Sequence, residues 1–237
     1  MFLLPCFLGW YTKVMFETQG LPQPEQRPEM KVEIYPEFQD FVPAEFTQDP
    51  FGYFETRGKN IKPGDTEYDT TGRIKEDPTA VKDLPVWQNP GGVELKAVAK
   101  KVNTKKGVFK KGAHPFHEVT VMDEVRKRGL PAPAPVARVQ RGGEFLVVME
   151  RAKGLTTFDA ALQIAFQTWQ YSELDKQVLK QDAERAMAEL RERFEQAGIK
   201  RKWKLTDMVF EVDFENRKVV GIVPVDWERT EITSQPV

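Results

Sequence analysis

The sequence contains very few of the residues around which metal centres and many catalytic sites are built. Of its 237 residues, one is a cysteine, Cys6, and two are histidines, His114 and His117. A single cysteine excludes an intrachain disulfide and a cysteine-ligated metal centre. A histidine-based zinc site or a Ser-His-Asp triad would have to use one of the two histidines, and we expect neither.

Excess charge and long apolar runs are also lacking. The formal net charge is −1 with 30% charged residues, which indicates an ordinary soluble surface and not that of a general nucleic-acid binder. The most apolar stretch, residues 1–16, lacks the basic start and the cleavage site of a signal peptide and is too short to span a membrane. We therefore expect a cytoplasmic protein without a transmembrane segment. Residues 1–16 are expected to pack on the protein itself or on a partner, with a membrane-surface anchor as the alternative.

The first third of the chain combines prolines and acidic residues with many aromatic residues. Aromatic side chains need burial, so this composition is not typical of simple disorder. We predict that residues 1–84 form an apolar terminal segment followed by an irregular arm. The arm would wrap a surface of its own chain or of a protein partner.

Regular patterns begin near residue 85. A hairpin is predicted because two apolar runs, 86–87 and 93–102, flank the turn residues 89–92. In the second run one face carries Val93, Leu95, Ala97 and Ala99, and Lys101 is next on that face. Such a lysine either extends to water or meets a carboxylate. The lysine-rich loop that follows, residues 103–112, is either a solvated loop or a contact for a phosphate-rich partner.

Helices are predicted on both sides of a second hairpin. The first runs from about His114 to Arg128, and Glu118 in its first turn suits the helix dipole. The hairpin pairs residues 135–140 with 145–150. A helix then extends to about Trp169, and a longer one begins at Ser172 with a capping-box pattern. The expected buried stripe of the long helix comprises Leu174, Val178, Ala186, Met187, Leu190, Phe194 and Ala197.

The last regular stretch brings one carboxylate to the end of an apolar strand. Residues 219–225 are typical of a buried strand, and Asp226 follows them directly. A carboxylate there costs desolvation energy unless it has a partner such as a metal ion. The alternative is that Asp226 starts a turn and faces water.

The order of these elements over residues 85–229 resembles the protein-kinase-like fold, in its aminoglycoside phosphotransferase and atypical small kinase branch. Residues 98–101, Val-Ala-Lys-Lys, resemble the Val-Ala-x-Lys strand whose lysine holds the nucleotide phosphates. The strand alternation selects Lys101 for this role, with Lys100 as the fallback. The resemblance implies that Glu118 pairs with this lysine.

Two further motifs carry the resemblance. Residues 146–154 resemble the hinge, which implies that the backbone of Glu150 and Ala152 binds adenine. Residues 225–228, Val-Asp-Trp-Glu, resemble the Ile-Asp-Trp-Glu metal motif, which implies that Asp226 holds Mg²⁺ between the phosphates. Asp207 takes the place either of the catalytic base or of the second metal ligand, because the His-Gly-Asp pattern and its following Asn are missing. No Gly-x-Gly-x-x-Gly precedes the lysine strand.

The resemblance implies an α+β, two-lobed fold. The strand-rich N-lobe would span residues 85–150, and a short, truncated helical C-lobe residues 151–237, since only eleven residues follow Asp226. The implied function is transfer of phosphate from ATP, with Mg²⁺, to a protein or a small molecule. The alternative is a pseudokinase-like interaction subunit with weak or no nucleotide binding. A nucleic-acid contact ranks last, because no aromatic platform accompanies the lysines.

Overall fold

The computed structural model describes residues 28–60, 81–102, 114–156, 158–227 and 230–233. The apolar segment 1–16, the lysine-rich loop and Glu228 of the metal motif lie outside these residues. The described chain is a mixed helix-and-sheet structure whose strands pair antiparallel, in agreement with the expected class at that level.

The described helices are α1 (Ala44–Gln48), α2 (Pro50–Arg57), α3 (His117–Lys127), α4 (Phe158–Gln167) and α5 (Glu173–Gln196). The strands of the six-stranded sheet are, in chain order, β1 (Met30–Ile34), β2 (Lys59–Asn60), β3 (Val81–Asp83), β6 (Ala97–Val102), β7 (Pro135–Arg141) and β8 (Glu144–Glu150). The smaller sheets use β4 (Trp87–Gln88), β5 (Glu94–Leu95), β9 (Leu155–Thr156), β10 (Ile199–Lys200), β11 (Met208–Asp213), β12 (Lys218–Pro224) and β13 (Glu231–Ile232).

The six-stranded sheet has the order β1-β7-β8-β6-β3-β2. Both predicted hairpins form. β7 and β8 pair across the turn at Gly142, whose φ of 56° favours glycine. The turn at residues 89–92 also forms, but it joins the short strands β4 and β5, and the long predicted strand 93–102 is interrupted at residue 96. β6 therefore begins at Ala97.

The part of the aromatic arm that the structure describes between residues 28 and 60 packs on its own chain. β1 pairs with β7 at the sheet edge, and helices α1 and α2 cover one face of the sheet. Phe46, Phe51 and Phe54 of these helices are buried against Ala97, Ala99 and neighbouring side chains. Burial of each ring is worth roughly 1.5–3 kcal/mol. The sheet is consequently buried on this face as well as on the face that α3 covers.

Because both faces of β6 are buried, its side chains divide between two cores. Val98 and Val102 contact the core that includes Val119 and Met122 of α3. Ala97 and Ala99 belong to the core under the arm. The face of Ala97 and Ala99 is apolar, as predicted, but the face of Val98 and Val102 is buried as well, which strand alternation did not indicate.

The helical part packs α4 and α5 against the three-stranded sheet β12-β11-β9. Ser172 and Asp175 form the predicted capping box of α5, and the helix ends before Gly198, where φ is 71°. The predicted apolar stripe is wrong in its first turns, because Leu174 and Val178 are 68% and 47% exposed. The buried stripe of α5 is Leu179, Ala183, Leu190 and Phe194. Consecutive residues lie about 100° apart around a helix, so the step from residue 178 to 179 turns away from solvent.

Within the described residues, no helix is both long enough and apolar enough to cross a membrane. The longest, α5, has 24 residues and alternates acidic and basic side chains along its exposed side.

Candidate functional site

A buried ion pair joins β6 to α3. Lys100 Nζ lies 2.9 Å from Glu118 Oε2, and the two side chains are only 13% and 9% exposed. Removing two charges from water is costly, and their attraction offsets this cost only when the geometry is good and the remaining oxygen is also bonded. The expected pairing of Glu118 with a lysine of this strand is therefore present, with Lys100 as the partner.

The second oxygen of Glu118 reaches the end of the chain. Trp227 N–H donates to Glu118 Oε1 at 3.3 Å, and the indole of Trp227 stacks on Phe194 with ring centroids 6.1 Å apart. One carboxylate thus connects the lysine of β6 with the residue that follows Asp226. The resemblance implied that Glu118 and the motif of Asp226 belong to one site, and the hydrogen bond between Glu118 and Trp227 joins these two segments.

The choice of Lys101 for the pair with Glu118 was wrong. Lys101 Nζ lies 2.8 Å from Glu144 Oε1 and 5.8 Å from the ring of Phe51, on the face that the arm covers. Alternation could not separate the two lysines, because it assumed one buried face where the structure has two. Lys101 connects β6 to β8 and helps to hold the arm.

The two acidic residues of the predicted metal site lie at the same end of the β11–β12 hairpin. Asp207 precedes β11 and Asp226 follows β12, and Val225 N–H donates to Asp207 O at 2.9 Å. Asp226 has a φ of 65°, a left-handed conformation that a non-glycine residue adopts only at some cost. Such outliers concentrate at functional sites.

The donor set is compatible with magnesium. Mg²⁺ is usually held by one or two carboxylates, with water and substrate phosphates completing its shell. Asp207 and Asp226 could supply these carboxylates. Among the described residues no group of three or more His, Cys, Asp or Glu side chains is arranged to hold a metal ion by itself. A metal here would therefore depend on oxygens from a ligand.

A cation that the sequence analysis did not single out lies beside the two acids. Arg201 Nη2 donates to Val225 O at 3.1 Å, and the guanidinium lies 4.8 Å from the ring centroid of Trp227. Burial lowers the pKa of Arg201 to about 10, while Asp207 and Asp226 oppose this shift. The arginine therefore stays protonated at neutral pH. Nothing in the sequence distinguished it from the lysines around it.

The predicted hinge follows β8 and borders a cavity of about 240 Å³. Arg151 anchors the segment through an ion pair with Asp83 at 3.2 Å and through its N–H to Lys96 O at 2.9 Å. The cavity is lined by Ala132, Pro133, Glu150, Arg151, Ala152, Lys153, Glu211, Gly221 and Val223. It includes Glu150 and Ala152, the two predicted adenine-binding residues, but none of Lys100, Glu118, Asp207 and Asp226. The side-chain contacts, and not this cavity, therefore define the candidate site.

Comparisons with known proteins add little to this geometry. No protein-family model matches the sequence. A search of curated proteins finds no relative. Among solved structures, the kinase PK-1 of Cydia pomonella granulovirus superposes with a TM-score of 0.42 and 14% sequence identity. The superposition covers 82% of this chain and 60% of the viral kinase, so the chain spans about 60% of that protein's length.

Proposed function

We propose that this protein is a divergent kinase-like phosphotransferase that binds ATP and Mg²⁺ between a strand-rich lobe, residues 85–150, and a short helical lobe, residues 151–237. The observation that carries the proposal is the buried chain of contacts from Lys100 through Glu118 to Trp227. This chain links a buried ammonium group to Trp227, the residue that follows Asp226, and this link supports a shared site for the lysine and the proposed metal ligand. Burial of such a pair is costly and has no evident use for stability alone.

Each residue has a defined role in this proposal. Lys100 holds the α- and β-phosphates, and Glu118 positions it. Asp226 and Asp207 hold Mg²⁺, which supplies charge neutralisation at the phosphates. In the hinge, the Ala152 N–H and the carbonyl of Glu150 would bind adenine, and both residues line the cavity described above. Positioning and electrostatics are the main demands of phosphoryl transfer, and these residues meet them.

This arrangement leaves no clear residue for the role of catalytic base, and this lack supports a second candidate function. The Asp207 carbonyl accepts a hydrogen bond from the N–H of Val225, the residue before Asp226, and this supports a metal role for Asp207. Residues 200–206 contain no acid and no histidine. A general base contributes roughly 10²–10⁴-fold to rate. The second candidate is therefore a pseudokinase-like subunit that binds nucleotide without transferring phosphate and engages a protein partner.

A pair of adjacent substitutions tests nucleotide binding. Thermal unfolding of the full chain is measured with and without ATP and MgCl₂, for wild type, Lys100→Met and Lys101→Met. A ligand at 100 times its Kd stabilises by about 2.7 kcal/mol. We expect this stabilisation in wild type and in Lys101→Met, and its loss in Lys100→Met.

Lys101→Met is the matched control, because it removes the same charge from the next position of the same strand. No stabilisation of wild type by ATP, or equal stabilisation of Lys100→Met, would contradict the proposal. Transfer of labelled γ-phosphate to protein or small-molecule acceptors then separates the two candidates. Nucleotide binding without any transfer identifies the pseudokinase-like subunit.

A further inference from the structure

Arg201 brings a positive charge to the acidic pair whether or not a metal is bound. We propose that Arg201 is a built-in cation of the phosphate site, which takes over part of the charge neutralisation of a metal ion and lets the site bind a nucleoside triphosphate without magnesium. This inference rests on the proposed nucleotide-binding function and concerns what that binding requires.

The first support is position. Arg201 contacts both neighbours of Asp226: it donates to the carbonyl of Val225 at 3.1 Å and stacks on the indole of Trp227 at 4.8 Å. The ring centroid of Trp203 lies 5.3 Å from the same guanidinium. Two indoles and a carbonyl therefore hold the guanidinium plane, so that little side-chain freedom is left to lose when a ligand binds.

The second support is charge. A guanidinium with a pKa of about 10 is protonated throughout the physiological range. Asp207 and Asp226 alone would repel a triphosphate, and a metal ion is the usual remedy for such repulsion. With Arg201 beside them, the three side chains together carry one net negative charge instead of two. The repulsion that a triphosphate meets is correspondingly weaker.

The third support is unused hydrogen-bonding capacity. Arg201 Nη1 is buried and has no hydrogen-bond partner among the described residues, and the same holds for Trp227 Nε1 in the same cluster. Leaving a buried donor unpaired is unfavourable. Both groups donate and cannot accept, so an anionic ligand suits them, and a guanidinium is well matched to phosphate oxygens.

The test measures binding of ATP to the full chain by thermal shift and by equilibrium dialysis, once in EDTA and once in MgCl₂. The variants are Arg201→Met, which removes the charge but keeps a long apolar side chain, and Arg201→Lys, which keeps the charge. Arg217→Met is the matched control, because Arg217 also stacks on an aromatic ring, that of Tyr171 at 5.6 Å, but outside this cluster. Circular dichroism verifies that each variant is folded.

We expect wild type and Arg217→Met to bind ATP in EDTA nearly as well as in MgCl₂. In Arg201→Met the affinity in EDTA should fall by about tenfold or more, the loss of one charge-assisted hydrogen bond, and MgCl₂ should restore it. Arg201→Lys should retain most of the affinity in EDTA. Wild-type binding that requires MgCl₂ would overturn this inference and leave the proposed function intact. No binding in either condition would overturn both.

A variant that removes a negative charge instead of the positive one tests the inference if Arg201→Met does not fold. Asp226→Asn removes a negative charge and leaves Arg201 in place. If Arg201 supplies the neutralising charge, this variant binds ATP in EDTA as tightly as wild type or more tightly, and its gain from MgCl₂ is smaller. Weaker binding in EDTA would contradict the inference, because it would mean that the Asp226 carboxylate supports ATP binding without a metal instead of opposing it.

Discussion

The two faces of β6 carry neighbouring lysines in ion pairs of nearly equal length and very different surroundings. Lys100 and Glu118 are 2.9 Å apart and almost enclosed, whereas Lys101 and Glu144 are 2.8 Å apart and 32% and 42% exposed. Distance therefore does not distinguish the pairs. Exposed pairs are worth about 0–1 kcal/mol, while a buried pair is costly to form and still more costly to break. We therefore expect small losses of stability when the exposed pair is broken and large losses when one partner of the buried pair is removed.

The largest expected effect comes from the core under the arm. Phe54→Ala should lower the free energy of unfolding by about 3–5 kcal/mol, because it leaves a cavity between α2 and the sheet. Urea unfolding measures this loss. ATP-dependent stabilisation of the folded variant should persist, since the nucleotide is assigned to the opposite face of β6. Loss of nucleotide binding along with stability would contradict that division.

Breaking the buried pair should be nearly as costly. Glu118→Ala leaves the Lys100 ammonium group buried without its carboxylate and removes the acceptor for Trp227 N–H. We expect a loss of about 3 kcal/mol or more in urea unfolding. The double variant Lys100→Met/Glu118→Gln removes both charges and keeps an acceptor, so it should recover most of this loss. A double variant as unstable as the single one would argue against an uncompensated charge as the cause.

The exposed pair should respond weakly. Glu144→Ala and Lys101→Ala are each expected to lower the free energy of unfolding by less than about 1 kcal/mol, because solvent screens both groups. The same urea experiment measures them beside Glu118→Ala. Equal losses for Glu144→Ala and Glu118→Ala would remove the distinction between the two faces.

The smallest effect is a dependence on pH. Hydrogen bonds from Lys101 and Arg141 lower the pKa of Glu144. A lowered folded-state pKa means that this stabilisation is present above the unfolded-state pKa, about 4.3, and is lost as the pH falls through the folded-state pKa. The stability difference between wild type and Glu144→Gln should therefore shrink on acidification from about pH 6 to about pH 3. A difference that grows on acidification would contradict the direction of the shift.

Several parts of the fold could be predicted because their signals are local. Asn89 to Gly92 specifies a turn, and Ser172 and Asp175 cap α5 by contacts within three residues. The resemblance of spaced motifs placed Glu118 and Asp226 in one region. The prediction that Leu174 and Val178 belong to the buried stripe of α5 was wrong. The local sequence does not show which side of this helix meets the sheet.

By itself the sequence determined the succession of helices, hairpins and caps, together with the short list of charged residues that a phosphate site could use. Only the tertiary structure decided between Lys100 and Lys101. Strand alternation predicted a single apolar face, that of Ala97, Ala99 and Lys101, but this is the face that the arm, some fifty residues upstream, covers. The tertiary structure also distinguished Arg201 from the other cations of its segment, because only the fold shows that its guanidinium contacts Val225 and Trp227. The physical reason is the same in both cases: desolvation depends on what lies nearby in space, and most of that comes from distant parts of the chain.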